Sequence, residues 1–354
     1  MSTVFDHPWL GGLLGDDEAA AIWSPQRQLT HMLAFEAAFT RSLGQVGSVP
    51  ANIANNLADQ IADFQVDLDD LRSGSATDGL PVPALVSQLR KMAGENSKAV
   101  HTGATSQDVI DTALALTLIE FNSMLRNRLT DAVSAITSLE KKFGTQTLIG
   151  RTRMQAALPI TVSDRLRTWS DPLQNHLQRL EQIRPRVELL QLGGAVGDRA
   201  AFSTHATDVA ADMAADLGLG NPETSWHATR DGLADYANLL SLISGSIGKI
   251  GQDICLMAQQ GIGEISMATG GGSSAMPHKQ NPILAELLVT LARYNATQLS
   301  GMHHALVHEQ ERSGTAWTLE WMILPAMARA TARSLSALCD VCAQVNHIGA
   351  ATHQ

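Results

Sequence analysis

The sequence predicts an all-α fold: a central bundle of very long helices with a smaller N-terminal helical domain. Three observations predict it. From Asp111 to Phe143 there is neither proline nor glycine, and Leu114, Leu118, Phe121 and Leu125 step by four, three and four, the spacing of one helix face. Leu233, Tyr236, Leu240, Ile243, Ile247, Ile250, Ile254 and Met257 alternate steps of three and four throughout, as a bundle seam does. The chain is 44% hydrophobic but only 4% aromatic. Ala and Leu therefore carry the apolar positions, which favours helix-on-helix packing over sandwiches or barrels.

The elements follow in order. Ser24 is placed to cap, and Pro25 to open, a helix bearing Leu29, Met32, Leu33, Phe35, Glu36 and Phe39 at helical spacing. Gly74–Pro83 reads as a turn-rich connector and Val82–Met92 as a short helix. The long helix over 111–143 is followed by a second over 161–192, interrupted at Pro172 and Pro185. A third lies along the Leu233–Met257 seam, and 282–308 and 318–347 supply two more. No segment shows a competing strand period. We expect an N-terminal helical domain over 1–108, a bundle over 109–347 carrying oligomerisation and most site residues, and a tail over 348–354.

A helix from Asp111 to Phe143 spans roughly 50 Å at about 1.5 Å per residue. It separates the polar cluster Thr105/Ser106/Asp108 from Gly150/Arg151/Thr152. If both belong to one site, different chains must supply them, which predicts a homo-oligomer with shared sites.

The formal net charge of −10 argues against nucleic acid and anionic membranes as general partners, yet leaves an anionic small substrate open. Cys255, Cys339 and Cys342 are too few and too odd in number for a disulfide framework. Cys339 and Cys342 read as packing residues on one helix. No metal-ligand spacing occurs, and neither metal nor organic cofactor is expected. With no cationic-then-apolar leader and no apolar run of spanning length, we expect a cytoplasmic protein.

The most informative stretch is Gly270–Pro282, Gly-Gly-Gly-Ser-Ser-Ala-Met-Pro-His-Lys-Gln-Asn-Pro. Its glycines allow the backbone to approach a ligand closely. Ser273 and Ser274 bring hydroxyls, Lys279 a fixed charge and Asn281 an amide, and Pro282 sits where a helix can start. A second cluster, His101 to Thr112, sets the small hydroxyls of Thr105 and Ser106 ahead of a helix N-terminus, a cradle for an anion. A third is Gly150-Arg151-Thr152-Arg153-Met154-Gln155-Ala156-Ala157-Leu158-Pro159-Ile160-Thr161. Two further stretches are Trp226–Asp231, with His227 and Arg230, and His304–Gly314, with Arg312 after Glu309 and Glu311.

These stretches resemble the fumarase/aspartase superfamily. Gly272 to Pro282 follows its signature Gly-Ser-Ser-x-x-Met-Pro-x-Lys-x-Asn-Pro with one fewer spacer. Thr105 to Thr112 follows Thr-Ser-x-Asp-x-x-Asp-Thr, and Gly150 to Thr161 follows Gly-Arg-Thr-His-x-Gln-x-Ala-x-Pro-x-Thr, with Arg153 where the family has His. Leu33–Ala37, His101–Thr112, Trp226–Asp231 and Glu311–Ser313 resemble most the lactonising branch, the bacterial 3-carboxy-cis,cis-muconate cycloisomerases of aromatic catabolism.

The resemblance implies a homotetramer with a twenty-helix core, each site drawing on three subunits, and a small polycarboxylate substrate. It implies Ser273, Lys279 and His101 as catalytic residues. Thr105, Ser106, Arg151, Thr152, Arg153, Gln155, Arg230, Ser274, Met276, Asn281 and Arg312 are then substrate-binding. Its chemistry is proton transfer beside a carboxylate through an aci-carboxylate intermediate, with Ser273 as the proton-transfer residue.

The chain departs from the pattern in three places. Asp198 stands where a small hydroxyl is usual. The small C-terminal domain of the family is expected to be reduced or absent. Arg153 cannot donate a proton at neutral pH, although an amine leaving group needs an acid and a carboxylate does not. Arg153 therefore argues against adenylosuccinate- or argininosuccinate-type lyases and for bond making by a carboxylate oxygen, unless it faces solvent and His101 supplies the acid. A 3-sulfo analogue fits the same cations as the 3-carboxylate. A non-catalytic structural homologue would not need Ser273, Lys279 and Asn281 intact.

Overall fold

The computed structural model describes residues 3–268, 270–272, 276 and 280–350. Its helices are α1 Gly11–Leu14, α2 Asp17–Ile22, α3 Pro25–Gln45, α4 Ala51–Ala62, α5 Leu68–Asp78, α6 Val82–Ala93, α7 Ser106–Phe143, α8 Val162–Val187, α9 Ala206–Leu217, α10 Asp231–Met257, α11 Ile283–His304 and α12 Gly314–Ala343. The all-α reading holds.

The helix starts are written in side chains. Ser24 accepts the Arg27 N–H at 3.1 Å ahead of α3. Asp108 reaches back to the Thr105 N–H at 3.0 Å ahead of α7. Asp164 does the same for Thr161 ahead of α8, and Ser313 accepts the Ala316 N–H ahead of α12. Each satisfies donors that the first helical turn leaves unpaired.

α7, α8, α10, α11 and α12 form the bundle in alternating directions. Asp111, in the second turn of α7, bonds both Arg230, which precedes α10, and Trp317, in the first turn of α12. α7, α10 and α12 therefore start at one end, here called the head. α8 and α11 run back from the other end, the foot: the Val162 N–H bonds the Gln146 carbonyl just past α7, and α11 begins beside the last turns of α10. Small residues bring α10 and α11 together. A Cβ at Gly248 would lie 2.4 Å from the Ala292 Cβ, and one at Gly251 would lie 2.5 Å from the Ala285 carbonyl oxygen. Inside this seam the Asn295 amide donates to Ser244, Thr331 and the Met327 carbonyl. It ties α10, α11 and α12 with one buried polar group whose donors are met.

Three expectations are corrected. Gly74 is not in a connector but inside α5, where a Cβ would sit 2.6 Å from the Ala84 Cβ; close packing, not a turn, explains the glycine. The helices over 161–192 and 282–308 stop earlier, at Val187 and His304. Strands, which no period announced, are present. β1 Thr147–Thr152 pairs antiparallel with β2 Gln155–Thr161, and β3 Ile265–Met267 with β4 Val345–Ile348.

The β1–β2 turn is at Arg153 and Met154, with φ of 48° and 68°. Tight hairpins want positive φ at both central residues, a role usually given to Asn or Gly, so the sequence carries no hairpin signal here. The cysteine reading stands. Cys339 and Cys342 lie on α12, and burial pushes the Cys342 thiol up to about 12, as expected of a packing residue rather than a reactive one. Among the described residues no helix is long and apolar enough to cross a membrane.

His176 on α8 sits between Ser246, 2.9 Å from its Nε2, and the Arg179 guanidinium, 3.3 Å from its Nδ1. Because Arg179 can only donate, Nδ1 accepts and the ring is neutral. Burial, then the Arg179 charge, push its pKa from 6.5 down to about 4. The unfolded ring takes a proton near pH 6.5 that the folded ring refuses until about pH 4. Stability is therefore fully present above 6.5 and falls as pH drops through that window, by at most about 3 kcal/mol. Melting temperatures of wild type and His176→Gln should converge or cross as pH falls from 7 to 4; parallel curves would refute this.

Candidate active site

The head gathers one set of expected residues. His101, Thr105 and Ser106 precede or open α7, and Arg312 lies alongside, its Nε donating to Gln107 Oε1 at 3.0 Å. Its Nη2 reaches the Ala195 carbonyl at 3.2 Å, while the residue stays exposed. The backbone is drawn tightly around these groups. A Cβ at Gly193 would lie 2.6 Å from Ser225 Oγ and 2.7 Å from His227 Cε1, and one at Gly194, at φ 72°, would lie 2.8 Å from the Gly103 carbonyl oxygen. Glycine is needed at both.

Beneath this surface lies a buried polar layer. Asp108, fully buried, accepts from the Gly193 and Gly194 N–H groups at 2.8 and 2.9 Å and sits 2.7 Å from His227 Nε2. Asp111 accepts both Nη groups of Arg230, at 2.6 and 3.1 Å, the Gln107 amide at 3.1 Å and the Trp317 indole at 3.0 Å. Glu320 accepts Arg230 Nε at 2.9 Å. Arg230 also lies over the Trp226 ring, 4.8 Å from its centroid. Burial works against the Arg230 charge, but Asp111 and Glu320 more than offset it, and its pKa is raised.

Arg230 was expected at the substrate. With a side chain about 1% exposed and its guanidinium spanning two carboxylates, it is instead the clamp of the buried layer, a correction that follows from the pairing rule for buried charge. His101 carries a left-handed φ of 59°, and its Nδ1 is 2.6 Å from Oε1 of the fully buried Glu36.

A second set lies at the foot. Arg151, Thr152, Arg153 and Gln155 are on the exposed β1–β2 hairpin. Arg151 is only partly available: its Nη1 donates to the buried Glu264 at 2.6 Å and to its own strand's Ile149 carbonyl. Arg153, at the tip, makes no hydrogen bond or ion pair among the described residues. Asn281 and Gly271 exchange backbone hydrogen bonds at 2.9 and 3.0 Å, closing the base of the Gly270–Pro282 loop just ahead of α11. Gly270 and Gly271 permit that closure, since a Cβ on either would fall within 2.7 Å of Gln280 or Ile283 side-chain atoms. Met276 is partly exposed. Ser273, Ser274 and Lys279 lie outside the described residues.

Head and foot sets do not meet within one chain. α7, 38 residues long, holds them about 57 Å apart at about 1.5 Å per residue. Sequence reasoning missed the partners of these groups. Glu36 is 65 positions from His101, and Gln107 and Glu320 carry no local signature. Asp108 and Asp111 were visible only as part of a motif. Among the described residues no group of three or more His, Cys, Asp or Glu forms a metal site.

We predict that Asp111→Ala, by taking one of the two carboxylates from Arg230 and the acceptor from the buried Trp317 indole, costs about 3–5 kcal/mol. Denaturant unfolding of variant and wild type checks this; a loss below about 1 kcal/mol would show that the layer carries little of the stability.

Comparison with known proteins adds the following. A family model described as lyase matches residues 16–295. A 3-carboxy-cis,cis-muconate cycloisomerase of Pseudomonas aeruginosa is 37% identical over 89% of this chain and 70% of its own. An N-acetyl-S-(2-succino)cysteine lyase of Enterococcus italicus is 32% identical over 96% of this chain and 75% of its own. The crystal structure of the 3-carboxy-cis,cis-muconate lactonizing enzyme from Pseudomonas putida superposes with a TM-score of 0.88 at 33% identity, covering 96% of this chain and 77% of that one.

Proposed function

Because the chain belongs to the fumarase/aspartase lyase family, we propose that it is a cycloisomerase closing 3-carboxy-cis,cis-muconate to a carboxymuconolactone. The observation that carries this reading is the residue at the hairpin tip: Arg153, which cannot donate a proton at neutral pH, stands where amine-releasing relatives need an acid. One substrate carboxylate oxygen adds to the conjugated diene. The displaced electron pair moves onto a neighbouring carboxylate as the aci-carboxylate, and the adjacent carbon then takes a proton. Net, the trianion takes up one proton, supplied in the end by water, and becomes the lactone dianion, so atoms and charge balance.

In this reading Ser273 handles that carbon-bound proton. Lys279 and the loop's N–H groups stabilise the alkoxide and the dianion, as preorganised donors do. Thr105 and Ser106 at the α7 N-terminus, with Arg312 beside them, bind substrate carboxylate, and Arg153, Gln155 and Asn281 approach from other subunits of a homotetramer. The separation of head and foot along α7 and the exposure of Met154 and Leu158 on the hairpin, 72% and 75%, support shared sites. A thiolate leaving group also departs without an acid of strong donor character, so elimination from a succinylated thiol is the second reading, favoured by the likeness to the succinocysteine lyase.

Ultraviolet absorbance of 3-carboxy-cis,cis-muconate should fall on mixing with protein, because lactonisation destroys the diene. Ser273→Ala should slow this by about 10²–10⁴-fold, the usual worth of a proton-transfer group. A flat wild-type trace, with turnover of a succinylated thiol or of the 3-sulfo analogue, would replace the substrate. Mixed oligomers of Ser273→Ala and His101→Ala subunits, reassembled after gentle dissociation, should regain activity that neither parent has. No recovery would count against shared sites.

A further inference from the structure

We infer that Glu36 is the positioning residue of His101, and that it makes His101 Nε2 the working atom of the head of the site. The inference rests on the reading above for the substrate, but its observations are independent of it. Glu36 is in the middle of α3, its carboxylate wholly inaccessible. Oε1 is 2.6 Å from His101 Nδ1, and Oε2 is buried without a hydrogen-bond partner. A buried carboxylate with one oxygen unmet is costly in a core helix. Nothing in the packing of α3 asks for an acid there, since its neighbours Phe35, Ala37 and Phe39 are core residues.

The histidine end is equally particular. His101 holds a left-handed backbone conformation, which a side chain adopts at a cost and which concentrates at functional positions. A carboxylate at Nδ1 accepts, so that nitrogen carries the proton, and in the neutral ring Nε2 carries the lone pair. Nε2 has no partner among the described residues. The ring is thus aimed and its tautomer set by a group reaching from another helix, while Thr105 and Ser106 follow four and five residues later at the mouth of α7. Asp108 and His227 form a similar pair nearby, but His227 is itself buried. The Glu36–His101 pair is the one whose ring keeps an accessible edge, at 12% side-chain exposure.

The test uses the full chain with Glu36→Gln, Glu36→Ala, His101→Asn and the double variant, each checked by circular dichroism and melting. Glu36→Ala should lower kcat by about 10–100-fold with KM little changed, part of the usual worth of an acid–base group. Glu36→Gln, whose amide oxygen still accepts from Nδ1, should recover part of that loss. Adding Glu36→Ala to His101→Asn should cost nothing more. Fully additive losses, or wild-type kcat in Glu36→Ala, would overturn the inference.

If wild type does not turn over the muconate, the substrate reading fails by itself. The pair is then judged by ¹⁵N spectra of histidine-labelled protein, the His101 ring being identified by its loss in His101→Asn. Glu36→Gln should leave Nδ1 protonated and Glu36→Ala should release the ring to tautomer exchange. Identical His101 signals in Glu36→Ala and wild type would overturn the proposal on that arm as well.

Discussion

The head of this protein is held by one buried cation. Arg230 bridges Asp111 of α7 and Glu320 of α12 while standing at the start of α10, so a single guanidinium fixes the relative height of three long helices. Two carboxylates against one cation leave a surplus negative charge in a place without water. The surplus is tolerable because Asp111 also takes hydrogen bonds from Gln107 and Trp317, each strengthened by the charge it meets. An apolar trio could pack as stably, but it would not set helix register to within a hydrogen bond. That register has a consequence at the surface. Gln107 donates to Asp111 with its amide nitrogen and accepts from Arg312 with its oxygen. The exposed arginine is therefore linked to the buried one through two side chains, Asp111 and Gln107.

Length is the second constraint. The 38 residues of α7 are too rigid to fold the hairpin back onto the Thr105–Ser106 turn, and alternation of direction through α8, α10, α11 and α12 returns every loop to one end or the other. Chemistry that needs both ends must come from more than one chain. The hairpin suits that use: it spends backbone strain at Arg153 and Met154 to project side chains that, within one chain, touch little.

Much of this was legible in the chain. The seam from Leu233 to Met257 and the uninterrupted run from Asp111 to Phe143 announced the bundle, because helices this long need an unbroken periodic face. Ser24 announced its helix start, whereas the long helix read from Asp111 begins five residues earlier, at Ser106. The hairpin was not legible, since its turn residues are Arg and Met, whose propensities do not favour the positive φ that the turn requires. Glu36 and Glu320 could not be paired from sequence, because partners 65 and 90 positions away share no local pattern. Arg230 looked like a substrate ligand for the same reason: a motif reports that a cation is needed, not which anion it faces.

The electrostatics of a chain with a net charge of −10 then follow from where its acids are placed. Asp108 is covered by N–H groups of the Gly193–Gly194 turn, Asp111 and Glu320 by Arg230, and Glu36 by His101. Each inward acid accepts hydrogen bonds at short range, which holds its charge in the buried layer, with Asp111 and Glu320 together exceeding Arg230 by one negative charge. Arg312 at the head and Arg153 at the hairpin tip stay exposed, and near low-dielectric walls an exposed cation acts over a longer distance than in open water. An anion beside either exposed arginine therefore meets a positive local field within a protein that is negative on average.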